Sequence, residues 1–176
     1  MRCKHVALLA VMASLCVGIQ LIPRPPSIEF TSLICFLTGF LFGSFFGASL
    51  GALTMIINGF LSLWGFAGII MPFQILGMAL IGFVGGVYRK SIEENPTSHW
   101  FSLEVAFLAA FLTLVYDLIT NVAYSLLFNV DIIFALTMGI WFTLVHVVSN
   151  TMLFGTTFFG LARITRNLLS EGSWSY

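Results

Sequence analysis

The sequence predicts an all-α fold: a polytopic membrane protein of six transmembrane helices in a compact bundle, with both termini cytoplasmic. Composition and charge placement predict it. Of the 176 residues, 59% are hydrophobic and only 8% charged, against about 25% charged in a soluble domain, and the mean hydropathy is +1.04. The apolar runs are nearly free of charge, and each approaches the roughly 20 residues needed to cross a hydrocarbon core about 30 Å thick. Lysines and arginines gather in segments that fall on one side of such a bundle, as they do in cytoplasmic loops. Residues 1–176 read as a single membrane-embedded domain, multi-pass in the cell (cytoplasmic) membrane.

The first span, His5–Ile22, follows a short basic opening, MRCKH. That opening suits a signal peptide, but the apolar run reaches Ile22 and Leu15 before Cys16 spoils a lipoprotein-type cleavage site, so an uncleaved helix is expected. PRPPS (Pro23–Ser27) ends it, because each proline removes a backbone donor and restricts the residue before it. The next stretch contains TGFLFGSFFGASLGAL (Thr38–Leu53), with glycine at every fourth position: Gly39, Gly43, Gly47 and Gly51. As one helix, Ile28 to Leu63 would run about 54 Å at 1.5 Å per residue, far beyond the hydrocarbon core. Two spans, Ile28–Phe45 and Phe46–Leu63, place Arg2, Lys4, Arg89, Lys90, Arg163 and Arg166 inside and only Arg24 outside. A single span divides the charges less cleanly, so a hairpin turning near Gly43–Gly47 is predicted. The fourth span is Pro72–Tyr88, followed by the one strongly polar loop, RKSIEENPTSH (Arg89–His99). The fifth, Phe101–Phe128, and the sixth, Ile132–Ala162, join through a tight turn at FNVD (Phe128–Asp131).

Several functions are excluded or disfavoured. A net charge of zero gives no basic surface for nucleic acid. Cys3, Cys16 and Cys35 are widely spaced and form no CxxC or Cys/His pattern, so neither a metal site nor a disulfide framework is expected. No Walker motif is present, so the chain cannot power transport alone. HExxH and serine-elbow motifs are also missing. One deep histidine cannot supply a transmembrane haem pair, and the charge inside the membrane is too thin for an obvious proton relay. The expectation is a protein that is not an enzyme and carries no cofactor.

Polar groups inside spans are costly and point to function. Asn58 falls near the outer end of the third span, Trp64 in the external loop WGFAGIIMP, and Gln74 just inside the fourth span. On the fifth span Asp117, Asn121 and Tyr124 follow i, i+4, i+7 and share a face bordered by Thr113 and Thr120. On the sixth, His146 and Asn150 are again i, i+4. Counted back from the turn, Asp117 and His146 differ in depth by about 6 Å. Two readings stand: a structural Asp117–His146 pair with Asn150 and Gln74 as interhelical hydrogen-bond partners, or a pocket. Glu104 has a simpler account, since a carboxylate in a first helical turn near the cytoplasm suits the dipole. The pocket is favoured by convergence, because these polar residues come from separate elements and lie toward the outer side. The glycine stripe likewise has two readings, close helix packing or a docking surface.

The order of features resembles the substrate-binding S component of energy-coupling factor (ECF) vitamin transporters. The likeness runs through LIPRPPSIEF, the glycine hairpin, Asn58, the Trp/Gly loop leading into MPFQILGMALIGFVGG, YDLITN (Tyr116–Asn121) and HVVSNTMLFG (His146–Gly155). The resemblance implies a binder of a vitamin or related micronutrient that works with a transmembrane coupling subunit and two cytoplasmic ATPases. Cobalamin-type and other poorly assigned members look nearest in pattern, and the resemblance does not identify the ligand. The pocket reading of the polar residues then assigns substrate binding to Asn58, Trp64, Gln74, Asp117, Asn121, Tyr124 and His146. The family's alanine-rich AxxxA docking surface has its nearest counterpart in Ala7, Ala10 and Ser14, with Gly43 and Gly47 as further docking candidates. Ser44–Phe45 stands where many relatives carry a basic residue in the cytoplasmic turn. The alternatives are an intramembrane enzyme using Asp117 and His146 as an acid/base pair, a structural assembly subunit, or a self-sufficient channel or carrier.

Overall fold

The breaks in the apolar pattern become the helix ends. The computed structural model describes residues 3–23, 25, 27–62, 65–92 and 99–171, and all regular structure among them is helical. The helices are α1 (Cys3–Gln20), α2 (Thr31–Phe42), α3 (Ser44–Leu61), α4 (Met71–Ser91), α5 (His99–Phe128) and α6 (Ile132–Glu171), with a 3-10 turn at Gly68–Ile70 before α4. Four segments, Ser44–Leu61, Gly68–Ser91, Phe101–Phe128 and Ile132–Asn167, are long and apolar enough to cross a membrane. The apolar parts of α1 and α2, Val6–Gln20 and Thr31–Phe42, are shorter; α2 rises only about 18 Å. It starts later than the hydropathy suggests because Glu29 stays outside the helix and accepts the Ser32 N–H at 3.0 Å. α6 runs past the expected end at Ala162, since ARITRNLLSE offers no proline or glycine to stop it.

The predicted hairpin is present, and it turns on one residue. Gly43 adopts φ 100°, a conformation that side chains disfavour, and its N–H closes α2 on the Gly39 carbonyl at 2.8 Å. The glycine stripe then packs inside the bundle. A Cβ at Gly82 of α4 would strike the Gly47 backbone, one at Gly39 or Gly47 would strike the Gly82 carbonyl, and one at Gly51 would strike Met78. Two glycine faces thus bring α2 and α3 against α4 at backbone contact, the arrangement that drives helix association in lipid. Gly47, a docking candidate by sequence, is buried by this internal contact. At Gly43 an added Cβ would meet nothing within 4 Å, so the turn is not filled by an internal contact there.

The α5–α6 turn is fixed by its own residues. Asn129 takes φ 51°, which asparagine tolerates. Asp131 Oδ1 accepts the Ile133 and Phe134 N–H groups at 2.9 and 3.0 Å, capping α6.

The two ends of the bundle differ. At one end, Phe36, Phe40, Phe101, Phe154 and Phe158 interlock, with Phe40 edge-on to Phe158 at 5.1 Å and Phe36 edge-on to Phe154 at 5.5 Å. The Arg89 and Arg166 guanidinium groups lie 5.7 and 5.2 Å from the Phe40 ring centre. Tyr88 donates to Glu104 Oε2 at 3.0 Å. Glu104 sits beyond the first turn, because α5 begins at His99; Tyr88 is its partner, and the dipole account is set aside. The other end is open and polar.

Candidate substrate-binding site

At the open end, where α1, α3 and α5 approach their C-termini and α2, α4 and α6 begin, the helices enclose a cavity of about 500 Å³. Each helix contributes by position. Gln20 closes α1, Asn58 is in the last turn of α3 with Ser62 just beyond, Gln74 is in the first turn of α4, and Asp117 and His146 face each other from α5 and α6. Met55, Met78, Tyr116 and Phe142 supply apolar wall, and Ser27 and Glu29 reach in from the α1–α2 loop. Tyr116 fits because Gly77 is opposite it: a Cβ there would collide with the ring. Its ring is edge-on to His146, with centres 6.0 Å apart.

The central feature is a carboxylate–imidazole–carboxylate cluster. His146 Nδ1 lies 2.9 Å from Asp117 Oδ1, a hydrogen bond that places the proton on Nδ1 and sets the ring orientation. Nε2 faces Glu29 Oε1 at 3.7 Å, beyond hydrogen-bond range. Asp117 is 9% and His146 7% exposed, yet Asp117 Oδ2 and His146 Nε2 have no hydrogen-bond partner. A buried polar atom left unpaired costs about 1–3 kcal/mol, so both atoms would gain from a polar group brought within reach. Burial alone would push the Glu29 carboxyl up, but the His146 imidazole and the Ser32 N–H and hydroxyl outweigh it and hold it at about 2. The loop carrying Glu29 is tied down a second time, where Ser149 of α6 donates to the Ser27 carbonyl at 3.0 Å. Gln20 secures the other side by donating to Thr31 Oγ1 at 2.7 Å.

Of the residues expected to bind substrate, Asn58, Gln74, Asp117 and His146 line this cavity together. Asn121 does not: its amide donates to the Asp117 carbonyl at 2.8 Å, and its side chain lies against Gly139 of α6. Tyr124 is also elsewhere, 43% exposed and packed on Phe128. Trp64 lies outside the described residues. Asn150 forms an interhelical hydrogen bond, donating to Thr113 Oγ1 at 3.0 Å. Sequence reasoning missed Gln20, Glu29 and Tyr116. The one available signal was Glu29, an acidic residue in the proline-rich segment between the first two helices.

Set against known protein families, residues 1–172 match the family described as "ECF-type riboflavin transporter, S component". The matching family is of riboflavin type; the sequence pattern by itself does not identify a ligand. No curated protein matches the chain.

Proposed function

The chain belongs to the ECF-type riboflavin transporter S component family, and from that premise we propose that its cavity binds riboflavin for uptake by the assembled transporter. Members of this family are integral proteins of the cytoplasmic membrane and serve as substrate-binding components of transporters. The observation that carries the reading is the cavity of about 500 Å³ lined in part by Asp117 and His146, whose Oδ2 and Nε2 are buried and have no hydrogen-bond partner. Small-molecule pockets run to about 300–1,000 Å³ and combine apolar walls with a few placed polar groups. Met55, Met78, Tyr116 and Phe142 suit a flat tricyclic ring. Gln20, Asn58, Ser62, Gln74 and Asp117 suit the ring-edge amides and the polyhydroxylated side chain.

Orientation follows from charge. Lys4, Arg89, Lys90, Arg163 and Arg166 sit on the helix ends away from the cavity, and basic residues favour the cytoplasm. The cavity then opens outward, both termini are cytoplasmic, and the partners are a coupling subunit in the membrane and two ATPases beneath it. Ala7, Ala10 and Ser14 are exposed along one side of α1, and a Cβ at Gly18 would meet nothing. This small-residue side is the docking face for the coupling subunit, with Gly43 at the α2–α3 turn as a further docking candidate. Binding by the purified chain tests the reading: riboflavin should bind one to one, and more weakly, by about tenfold or more, in Asp117→Asn. A folded chain that does not bind riboflavin refutes it.

A further inference from the structure

A second polar contact joins α5 to α6 beneath the cavity. Asn150 Nδ2 donates to Thr113 Oγ1 at 3.0 Å, and both residues are fully buried. Neither is among the residues lining the cavity. Thr113 stands four residues before Asp117 on α5, and Asn150 four after His146 on α6. The two helices run antiparallel, so the Asp117–His146 and Thr113–Asn150 contacts are successive rungs, about 6 Å apart along the helices.

Stability gives no reason for the lower rung. Asn150 Oδ1 is buried without a hydrogen-bond partner, and an acceptor in that state carries a desolvation cost that nothing recovers. Apolar side chains of the same shape would be nearly neutral there, or stabilising. They would also continue the buried stripe of α6, in which Phe154 and Phe158 follow Asn150 at intervals of four. What a polar rung adds is register: a slide or rotation of one helix on the other loses the bond and strands both groups among apolar neighbours. The next contact inward, Gly155 against Ala106, is between small residues that lock nothing in place.

We propose that Asn150 and Thr113 are positioning residues of the binding site: their bond sets the register of α5 on α6 that brings Asp117 Oδ1 to His146 Nδ1. They act through the backbone over one helical turn and do not touch the ligand. The consequence for binding rests on the flavin reading above, whereas the register itself can be read without any ligand.

The first measurement is NMR of the purified full-length chain with ¹⁵N-labelled histidine, in which only three histidines need assigning. The wild type should show a His146 Nδ1 proton far downfield, the signature of a hydrogen bond to a carboxylate, and Asp117→Asn should move it upfield. Asn150→Leu should move it the same way, while Thr113→Ser, which keeps the hydroxyl, should leave it in place. The second measurement is titration with riboflavin. Asn150→Leu and Asp117→Asn should each weaken binding about tenfold. Because one acts through the other, the double variant should also lose about tenfold, not the roughly hundredfold of independent effects. Asn150→Leu should melt no lower than the wild type, so that lost affinity is not lost fold. If Asn150→Leu does not fold, Thr113→Val removes the acceptor of the same rung and replaces it in both measurements. A downfield proton that the rung variant leaves in place, additive losses in the double variant, or a wild type without that proton overturns the positioning role. A wild type that shows the proton, loses it in the rung variant and binds no riboflavin overturns the flavin reading and leaves the register standing.

Discussion

Replacing Asp117 with asparagine separates a binding role from a structural one. Asn keeps the shape and can still accept the His146 Nδ1 proton through Oδ1, so the 2.9 Å contact between α5 and α6 survives as a neutral hydrogen bond. What changes is the second oxygen, buried and without a hydrogen-bond partner, which becomes an NH₂ donor. A ligand N–H or O–H that bonded to the carboxylate then meets a donor. Hydrogen bonds to charged groups contribute about 1.5–3 kcal/mol, and at 1.4 kcal/mol per decade the loss is about tenfold to a hundredfold in affinity. The melting temperature should move little, because the hydrogen bond to His146 is kept and the atom that changes had no partner in the protein to lose. Calorimetric titration in detergent with a parallel thermal melt reads both quantities. Normal affinity with a lowered melting temperature would mean that Asp117 and His146 only hold α5 to α6, and the site assignment would be wrong.

Other perturbations have distinct signatures. Gly82→Ala forces a methyl into the Gly47 backbone, which no side-chain rotation relieves; overpacking of this kind costs about 1–3 kcal/mol, visible as a lower melting temperature with riboflavin affinity changed only as far as the fold is. Gly77→Ala should instead push Tyr116 toward the cavity, weakening binding at least as much as stability in the same titration. Ala10→Leu on the exposed side of α1 should leave binding by the isolated chain intact and reduce uptake by the assembled transporter; equal loss in both assays would make that face structural. For orientation, cysteine labelling at Ser27 and Ser91, after removal of the native cysteines, should reach only Ser27 from outside.

Much of this architecture was legible in the sequence, because the membrane imposes simple rules. PRPPS, the polar RKSIEENPTSH loop and FNVD cannot continue an apolar helix, and each one coincides with a helix break. The four-residue glycine period announced a close contact, and the impossible length of a single helix announced a hairpin. What the period did not reveal was the matching surface, Gly82 and Gly86 of α4, since pairing between helices is a tertiary fact. Asp117 and His146 were visible as costly polar groups on neighbouring helices. Asn121 and Tyr124 shared the helical face of Asp117 and were grouped with it, but a shared face does not mean a shared depth. The cavity is level with Asn58 and Gln74, at the ends of α3 and α4, so residues one and two turns farther along α5 pass beyond it. Glu29 was overlooked because a residue in a proline-rich loop has no periodicity to mark it. Its role appears only when the loop folds back on His146 and Ser149.

The central claim is that the cavity around Asp117 and His146 holds riboflavin. The most direct measurement is equilibrium titration of the purified chain with riboflavin, run beside Asp117→Asn under identical conditions. The account predicts saturable one-to-one binding that weakens by about tenfold or more in the variant while both proteins melt at nearly the same temperature. A folded wild-type chain without saturable riboflavin binding, or a variant with unchanged affinity, would contradict it.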